Sequence, residues 1–240
     1  MIEIKKLTKV YGDKKVLDNL SLVINDGDIF AFVGHNGAGK TTTIKCMTDI
    51  IEPTSGDVLY DGLSIVKEPL KCKKQIAYIP DNPDIYEYLT GIGYLNFIAD
   101  VYEMGDERTK EINDYSEAFE LKEFLGNPIS SYSHGMKQKL VLISALIHHP
   151  KYIILDEPFV GLDPIASHKL KEYMQELTKK GTCIFFSTHV LEVAEKLCNK
   201  VAIIKNGVLI KSGLMKDVLK DESLEDVFLE LENEESIKTN

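Results

Sequence analysis

Between five apolar residues, Ile29-Phe-Ala-Phe-Val33, and a helix-compatible stretch that begins at Lys40, the chain carries Gly34-His-Asn-Gly-Ala-Gly-Lys-Thr41. This match to GxxxxGK[ST] constrains the fold more than any other feature, because it demands a tight turn from a buried strand into a helix N-terminus. Glycines let backbone N–H groups curl around phosphate oxygens, and the following helix presents its positive end to the same anion. Gly34, His35, Asn36, Gly37, Ala38, Gly39, Lys40, Thr41 and Thr42 are therefore the expected phosphate cradle. Lys40 is expected to reach the outer phosphates of a nucleotide, and the Thr41 hydroxyl to bind Mg2+.

A second run, Tyr152-Ile-Ile-Leu-Asp-Glu-Pro158, ends an apolar strand on two adjacent carboxylates. Ligands of parallel sheets bind at the carboxyl ends of strands, which puts both acids beside the glycine loop. Asp156 is the expected magnesium-shell residue and Glu157 the residue that polarises an attacking water. Taken alone, a strand ending in Asp-Glu-Pro also reads as a solvated turn; with Lys40 in the same chain the chemical reading prevails.

Around these motifs the texture changes twice. Alternating apolar positions such as Ile2/Ile4 and Leu20/Leu22/Ile24 predict an N-terminal antiparallel β region. From about Pro83 to His149 strand signals vanish, and Leu140, Ile143, Leu146 and Ile147 recur at helical spacing, which predicts a helical insert. Apolar runs at 152–155, 182–186 and 201–204 then alternate with helical segments at 164–180 and 190–198, the pattern of a parallel α/β sheet covered on both faces. The expected division is a core of 1–82 and 150–215, a helical subdomain of 83–149 and an acidic C-terminal helix and tail of 216–240, fraying after Glu234.

The 240 residues carry 28 Lys+Arg against 38 Asp+Glu, a net charge of −10. Nine acids and three lysines lie between Lys216 and Asn240, so the tail holds −6 and the body −4, which argues against a general nucleic-acid binder. The longest apolar stretch, roughly 140–147, is far short of a membrane span, and charges fill the place where a signal peptide would carry its apolar run, so a cytoplasmic location is expected. Cys46, Cys72, Cys183 and Cys198 lack CxxC spacing and read as reduced, buried small hydrophobes. His148 and His149, before Pro150, read as helix-end residues suited to the negative dipole end, with no function assigned.

The order of motifs resembles that of the ATP-binding cassette (ABC) ATPases, the nucleotide-binding subunits of ABC transporters, over nearly the whole chain. The resemblance implies a P-loop NTPase fold with an inserted helical subdomain, and it assigns further residues. Tyr11, in Lys-Val-Tyr-Gly, matches the aromatic residue that stacks on adenine. Asp81, after the strand Ile76-Ala-Tyr-Ile79, stands where the family has a glutamine; a carboxylate is a hard ligand for Mg2+ but cannot donate hydrogen bonds as an amide does. Acids at this place occur in the branch resembling small exporters. Tyr132-Ser-His-Gly-Met136 stands for the LSGGQ signature, keeping Ser133 and Gly135 as phosphate contacts, with Ser133 also a plausible helix N-cap. Gly161-Leu-Asp163 matches the D-loop, Asp163 reading equally as an N-cap, and His189 matches the switch histidine that contacts the γ-phosphate.

Family membership further implies ATP and Mg2+ as ligands and a second ABC cassette paired head to tail, a homodimer on the simplest reading. It also implies a separate integral membrane permease that engages a groove between helical insert and sheet, near Asp81. The chain is then expected to sit peripherally on the inner face of the cell membrane and to energise transport, in the export direction, by ATP hydrolysis. The alternative is a cytosolic ABC ATPase acting on ribosomes or DNA; the single cassette and the roughly ninety residues between the glycine loop and the signature disfavour it.

Overall fold

The computed structural model describes residues 1–82 and 84–238, with side chains described through Leu231. Strands β1 (Ile2–Tyr11) and β2 (Lys14–Ile24) form the N-terminal hairpin, followed by β3 (Ile29–Val33) and α1 (Lys40–Met47). Next come β4 (Ser55–Tyr60), β5 (Leu63–Ser64), α2 (Pro69–Lys73) and β6 (Ile76–Ile79). Helices α3 (Gly91–Val101), α4 (Arg108–Ala118) and α5 (His134–Leu146) make up the insert, with no strand among its described residues. The chain then alternates through β7 (Tyr152–Asp156), α6 (Pro164–Lys179), β8 (Cys183–Thr188), α7 (Leu191–Leu197) and β9 (Lys200–Lys205). It ends with β10 (Val208–Leu214), α8 (Met215–Leu219) and α9 (Leu224–Lys238).

Two sheets result. The N-terminal sheet is antiparallel in the order β2-β1-β4-β5. The central sheet has the order β10-β9-β3-β8-β7-β6, parallel from β9 to β6 with β10 antiparallel at its edge. The sequence patterns anticipated β3 to the residue and the neighbouring strands to within two residues, whereas β4, β5 and β10 were not anticipated. The backbone of α9 is helical through Lys238. Its last residues include glutamates of good helix propensity and neither Gly nor Pro. Thr239 and Asn240 lie outside the described residues.

Strands β3, β7, β8 and β9 are buried on both faces, so their side chains divide between two cores. Phe30 and Phe32 of β3 join Ile154, Phe185 and Ile204 in a core closed by α1 and the antiparallel sheet. Ile29, Ala31 and Val33 join Leu155, Phe186 and Ile203 in a second core covered by the helices from α3 onward. Because a slip of one residue would exchange these two sets, strand register is strongly specified. The four cysteines are buried, and desolvation pushes the thiols of Cys46 and Cys72 up to about 11 and that of Cys183 up to about 12, with Cys198 raised as well.

The helix-dipole reading of the histidine pair is corrected for His148. Its ring lies edge-on against Tyr102, both nitrogens are buried without a hydrogen-bond partner, and burial pushes the imidazole down to about 4, with His149 adding to the effect. Desolvation outweighs the favourable helix end because the charged form loses its hydration there. In the unfolded chain this group titrates near 6.5. As pH falls, the unfolded state therefore takes up the proton first, so stability that is fully present above about pH 6.5 declines toward pH 4. Urea unfolding should show that this residue accounts for a loss of about 2–3 kcal/mol over that range. His148→Leu should flatten the pH dependence by that amount.

Candidate functional site

At the carboxyl end of β3 the chain turns through Gly34–Gly39 into α1. Gly39 caps the helix with φ of +112°, and a Cβ there would come within 2.8 Å of Leu17 Cδ2, so neither the backbone shape nor the space admits a side chain. The loop is tied down from the far side of the sheet: Gly207 N–H donates to Ala38 O at 2.8 Å, and Asp18 N–H donates to Gly207 O at 2.9 Å.

Lys40 is buried, 7% exposed, and its ammonium turns back onto the loop, donating to Gly34 O at 2.6 Å and His35 O at 3.2 Å. Desolvation lowers its pKa, and Glu157 and Asp156 oppose that shift. Glu157 Oε1 lies 3.9 Å from Lys40 Nζ, while Glu157 Oε2 accepts from His189 N–H at 3.3 Å and lies 3.0 Å from His189 Nδ1. The expected switch histidine thus meets the expected water-polarising acid directly.

Glu157 adopts φ of +49°, an uncommon conformation for a residue other than glycine. What holds it is Ser187 on the neighbouring strand: Glu157 N–H donates to Ser187 Oγ at 3.1 Å and to Ser187 O at 3.2 Å. The same hydroxyl donates to Asp156 Oδ1, which leaves the buried carboxylate of Asp156 hydrogen-bonded. Ser187 was not singled out from the sequence; its position in Phe-Phe-Ser-Thr-His, one strand from Asp156, was the available signal.

Of these groups Lys40, Asp156 and Glu157 border a cleft of about 340 Å³, whereas His189 lines a second cleft of about 310 Å³ that shares His35 and Asn36 with it. The floor of the first is His35, Asn36, Gly37, Gly39 and Lys40, with Thr41 and Thr42 at the mouth of α1; Asp81, Asp156 and Glu157 form the opposite wall. Lys14 and Val16 of β2 complete the rim, and sequence reasoning missed both. Three carboxylates border this cleft with one buried ammonium, Lys40, and a second lysine, Lys14, on its rim. The carboxyl of Asp81 is accordingly held above its ordinary range, first by burial and then by Asp156 and Glu157, against the pull of His134 and His189. A site with this excess of hard oxygen donors suits a divalent cation carried in with phosphate oxygens. Among the described residues no group of three or more His, Cys, Asp or Glu could hold a metal by itself.

Tyr11, Ser133, Gly135 and Asp163 line neither of these two clefts. Tyr11 ends β1 opposite Lys14, half exposed, with Lys9 Nζ 5.0 Å from its ring centre. Ser133 caps α5, its hydroxyl accepting from Met136 N–H at 3.3 Å, and Gly135 follows on the first turn. Asp163 caps α6 through Ala166 N–H at 2.8 Å and pairs with Lys139 of α5 at 2.7 Å; these contacts, the backbone bond first, lower its pKa. The signature turn and the Gly161 segment therefore form one unit. His134, where the family has glycine, packs so closely that a Cβ on Gly161 would lie 2.7 Å from its ring.

A family model described as ABC transporter matches residues 17–160. The chain belongs to the ABC transporter family. It is similar to the ABC-type transporter ATP-binding protein EcsA of Bacillus subtilis, at 34% identity over 242 residues, 98% of each chain. A solved ATP-binding subunit of an ABC transporter superposes with a TM-score of 0.93 at 35% identity, covering 96% of this chain and 99% of that one. CbiO1 of Clostridium perfringens, described as part of the ABC transporter complex cbiONQ, superposes with a TM-score of 0.78 at 25% identity over 100% and 98% of the two chains. The protein is an ATP-binding and ATP-hydrolysing subunit of an ABC transporter, a reading that these relatives support over action on ribosomes or DNA. Subunits of this family work with a membrane permease, and among the described residues of this chain no helix is long and apolar enough to cross a membrane.

The Ser187 hydroxyl is bonded to both acidic positions, so Ser187→Ala should destabilise the fold by about 1–3 kcal/mol in urea unfolding, because the buried Asp156 carboxylate loses this donor.

Proposed function

We propose that this chain couples ATP hydrolysis to transport through the cleft at the carboxyl ends of β3, β7 and β8, with Glu157 as general base. The observation that carries this reading is the placement of the Glu157 carboxylate between the Lys40 ammonium and the His189 imidazole. Lys40 exchanges its bonds to the loop carbonyls for the outer phosphates, and backbone N–H groups from Gly34 to Thr42 receive the remaining phosphate oxygens. Glu157 takes a proton from the attacking water, and His189 orients Glu157 and senses the γ-phosphate. Tyr11 stacks on the adenine. Thr41, Asp156 and Asp81 would hold Mg2+, which when bound neutralises charge on the phosphate oxygens.

Ser133, Gly135 and Asp163 serve the site of a second, identical cassette. Support comes from their absence from the chain's own cleft and from the exposed position of Ser133 at the N-terminus of α5. The Lys139–Asp163 pair would move signature and D-loop together as the cassettes close.

The permease docks in the groove beside Asp81, where a cleft of about 230 Å³ runs between sheet and insert past Tyr78, Tyr94, Tyr102 and His148. Exposed Tyr86, Tyr88 and Phe97 form an aromatic cluster at its edge. The insert of 83–149 and the core then act as separate subdomains about this groove, and the chain sits on the inner face of the membrane through its permease. Asp81 in the place of glutamine favours an exporter.

Two substitutions test the chemistry. Lys40→Ala should weaken ATP binding by about tenfold or more in a fluorescence titration, since charged hydrogen bonds to phosphate are lost. Glu157→Gln should keep ATP binding, lower the hydrolysis rate by about a hundredfold or more, and accumulate an ATP-bound dimer in light scattering. A Glu157→Gln variant hydrolysing at the wild-type rate would move the base elsewhere.

A further inference from the structure

The acidic C-terminal helix has a part that the activity above does not use. On α9, Leu224, Val227 and Phe228 are buried while Glu225, Asp226 and Glu230 face solvent. The start of the helix is fixed twice: Asp226 N–H donates to Ser223 Oγ at 3.1 Å, and Leu224 N–H donates to Glu195 Oε2 of α7 at 2.8 Å. From this anchored start, Phe228 reaches His35 of the phosphate loop, and the two rings meet edge to face with centroids 4.8 Å apart and planes at 66°. The cleft beneath, about 310 Å³, is bordered by Asn36 and Phe228 on one side and by His189 and Leu191 on the other. One helix thus braces both the loop that receives phosphate and, through α7, the segment that carries His189.

We propose that Phe228 is a positioning residue for the phosphate loop, and that docking of α9 and binding of nucleotide reinforce each other. This rests on the reading that Gly34–Thr42 holds ATP. His35, Asn36 and Gly37 are the exposed part of that loop. The loop is also held by Gly207 N–H on Ala38 O, by Ala38 N–H on His35 O at 3.1 Å, and by the Lys40 ammonium on Gly34 O and His35 O. Lys40 releases those carbonyls as it reaches phosphate, and the Phe228 ring is then one of the contacts that keep His35 in place. A loop already ordered loses less entropy on binding, so the contact strengthens affinity without touching the ligand. By linkage, ATP must tighten the docking of α9 to the same degree.

The test is ATP affinity of the full chain, measured by fluorescence titration. An edge-to-face aromatic contact corresponds to about a two- to tenfold change in Kd, so Phe228→Ala should weaken ATP binding by that factor. Phe228→Leu keeps most of the apolar bulk but lacks the ring and should show the same loss, which settles the matter if the alanine variant does not fold; Phe228→Tyr should bind as the wild type does. Leu231→Ala, which removes a core contact of α9 away from the loop, should leave Kd unchanged. The effects of Phe228→Leu and His35→Ala should not add, since both remove one contact. Added ATP should slow hydrogen exchange of the amides at 224–231 in the wild type and less so in Phe228→Leu. Unchanged or tighter ATP binding in Phe228→Leu, additive effects with His35→Ala, or an equal loss in Leu231→Ala would overturn the proposal. Lys40→Ala in the same titration separates the two readings: if it binds ATP normally the phosphate-loop assignment fails, whereas loss in Lys40→Ala with no loss in Phe228→Leu refutes the brace alone.

Discussion

The site depends on the parallel register of three neighbouring strands. β3 meets β8 with Val33 opposite Thr188, and β8 meets β7 with Ser187 opposite Asp156. One step further along the strands lie Gly34 and His189, level with each other, and Glu157, level with Thr188 and one residue short of them, so loop, histidine and acid emerge side by side from a sheet whose side chains are locked into two separate cores. Shifting any one strand by a residue would exchange its two sets of side chains between the cores and misplace one of the three groups. Packing that has no chemistry of its own, such as Phe30 and Phe32 against Phe185, is therefore what aligns the chemistry.

Charge then decides how the aligned groups behave. With three carboxylates around the buried Lys40 ammonium and only Lys14 added at the rim, the cleft has more acidic than basic side chains. Lys40 divides its donors between loop carbonyls and the Glu157 edge, and Asp81 is held toward its protonated form. A phosphate chain arriving with its cation would supply partners for both sets, so ligand entry rearranges bonds that are already strong. The left-handed backbone at Glu157 belongs to the same design: two bonds from Ser187 hold a conformation that costs about 1–3 kcal/mol, and the result aims one carboxylate at two different neighbours.

Much of this was readable from residues alone where a pattern was local. The glycine loop with its flanking strand and helix, the Asp156-Glu157 strand end and the period of Leu140, Ile143 and Leu146 each lie within a dozen residues. What escaped is what forms only when distant segments meet. β10 has no buried residue of its own and exists because β9 offers an edge. β4 buries only Val58 and Tyr60, set among turn-forming residues. Lys14 and Val16 reach the cleft because the N-terminal hairpin folds over the loop, through contacts to Gly39 and Gly207 that no local spacing records. The C-terminal apolar stripe announced an amphipathic helix, but not that Phe228 would end against His35.

The buried cysteines give the folded chain one more property. Cys46 and Cys72 lie in the core beneath α1, with Cys183 in the same cluster, and Cys198 lies in the opposite one. Thiols pushed this far from the thiolate form are poor nucleophiles, and no reagent reaches them while the cores stay closed. Alkylation of this protein is therefore a clock for opening, with thiols on each side of the central sheet keeping separate time, and it needs no introduced label to run.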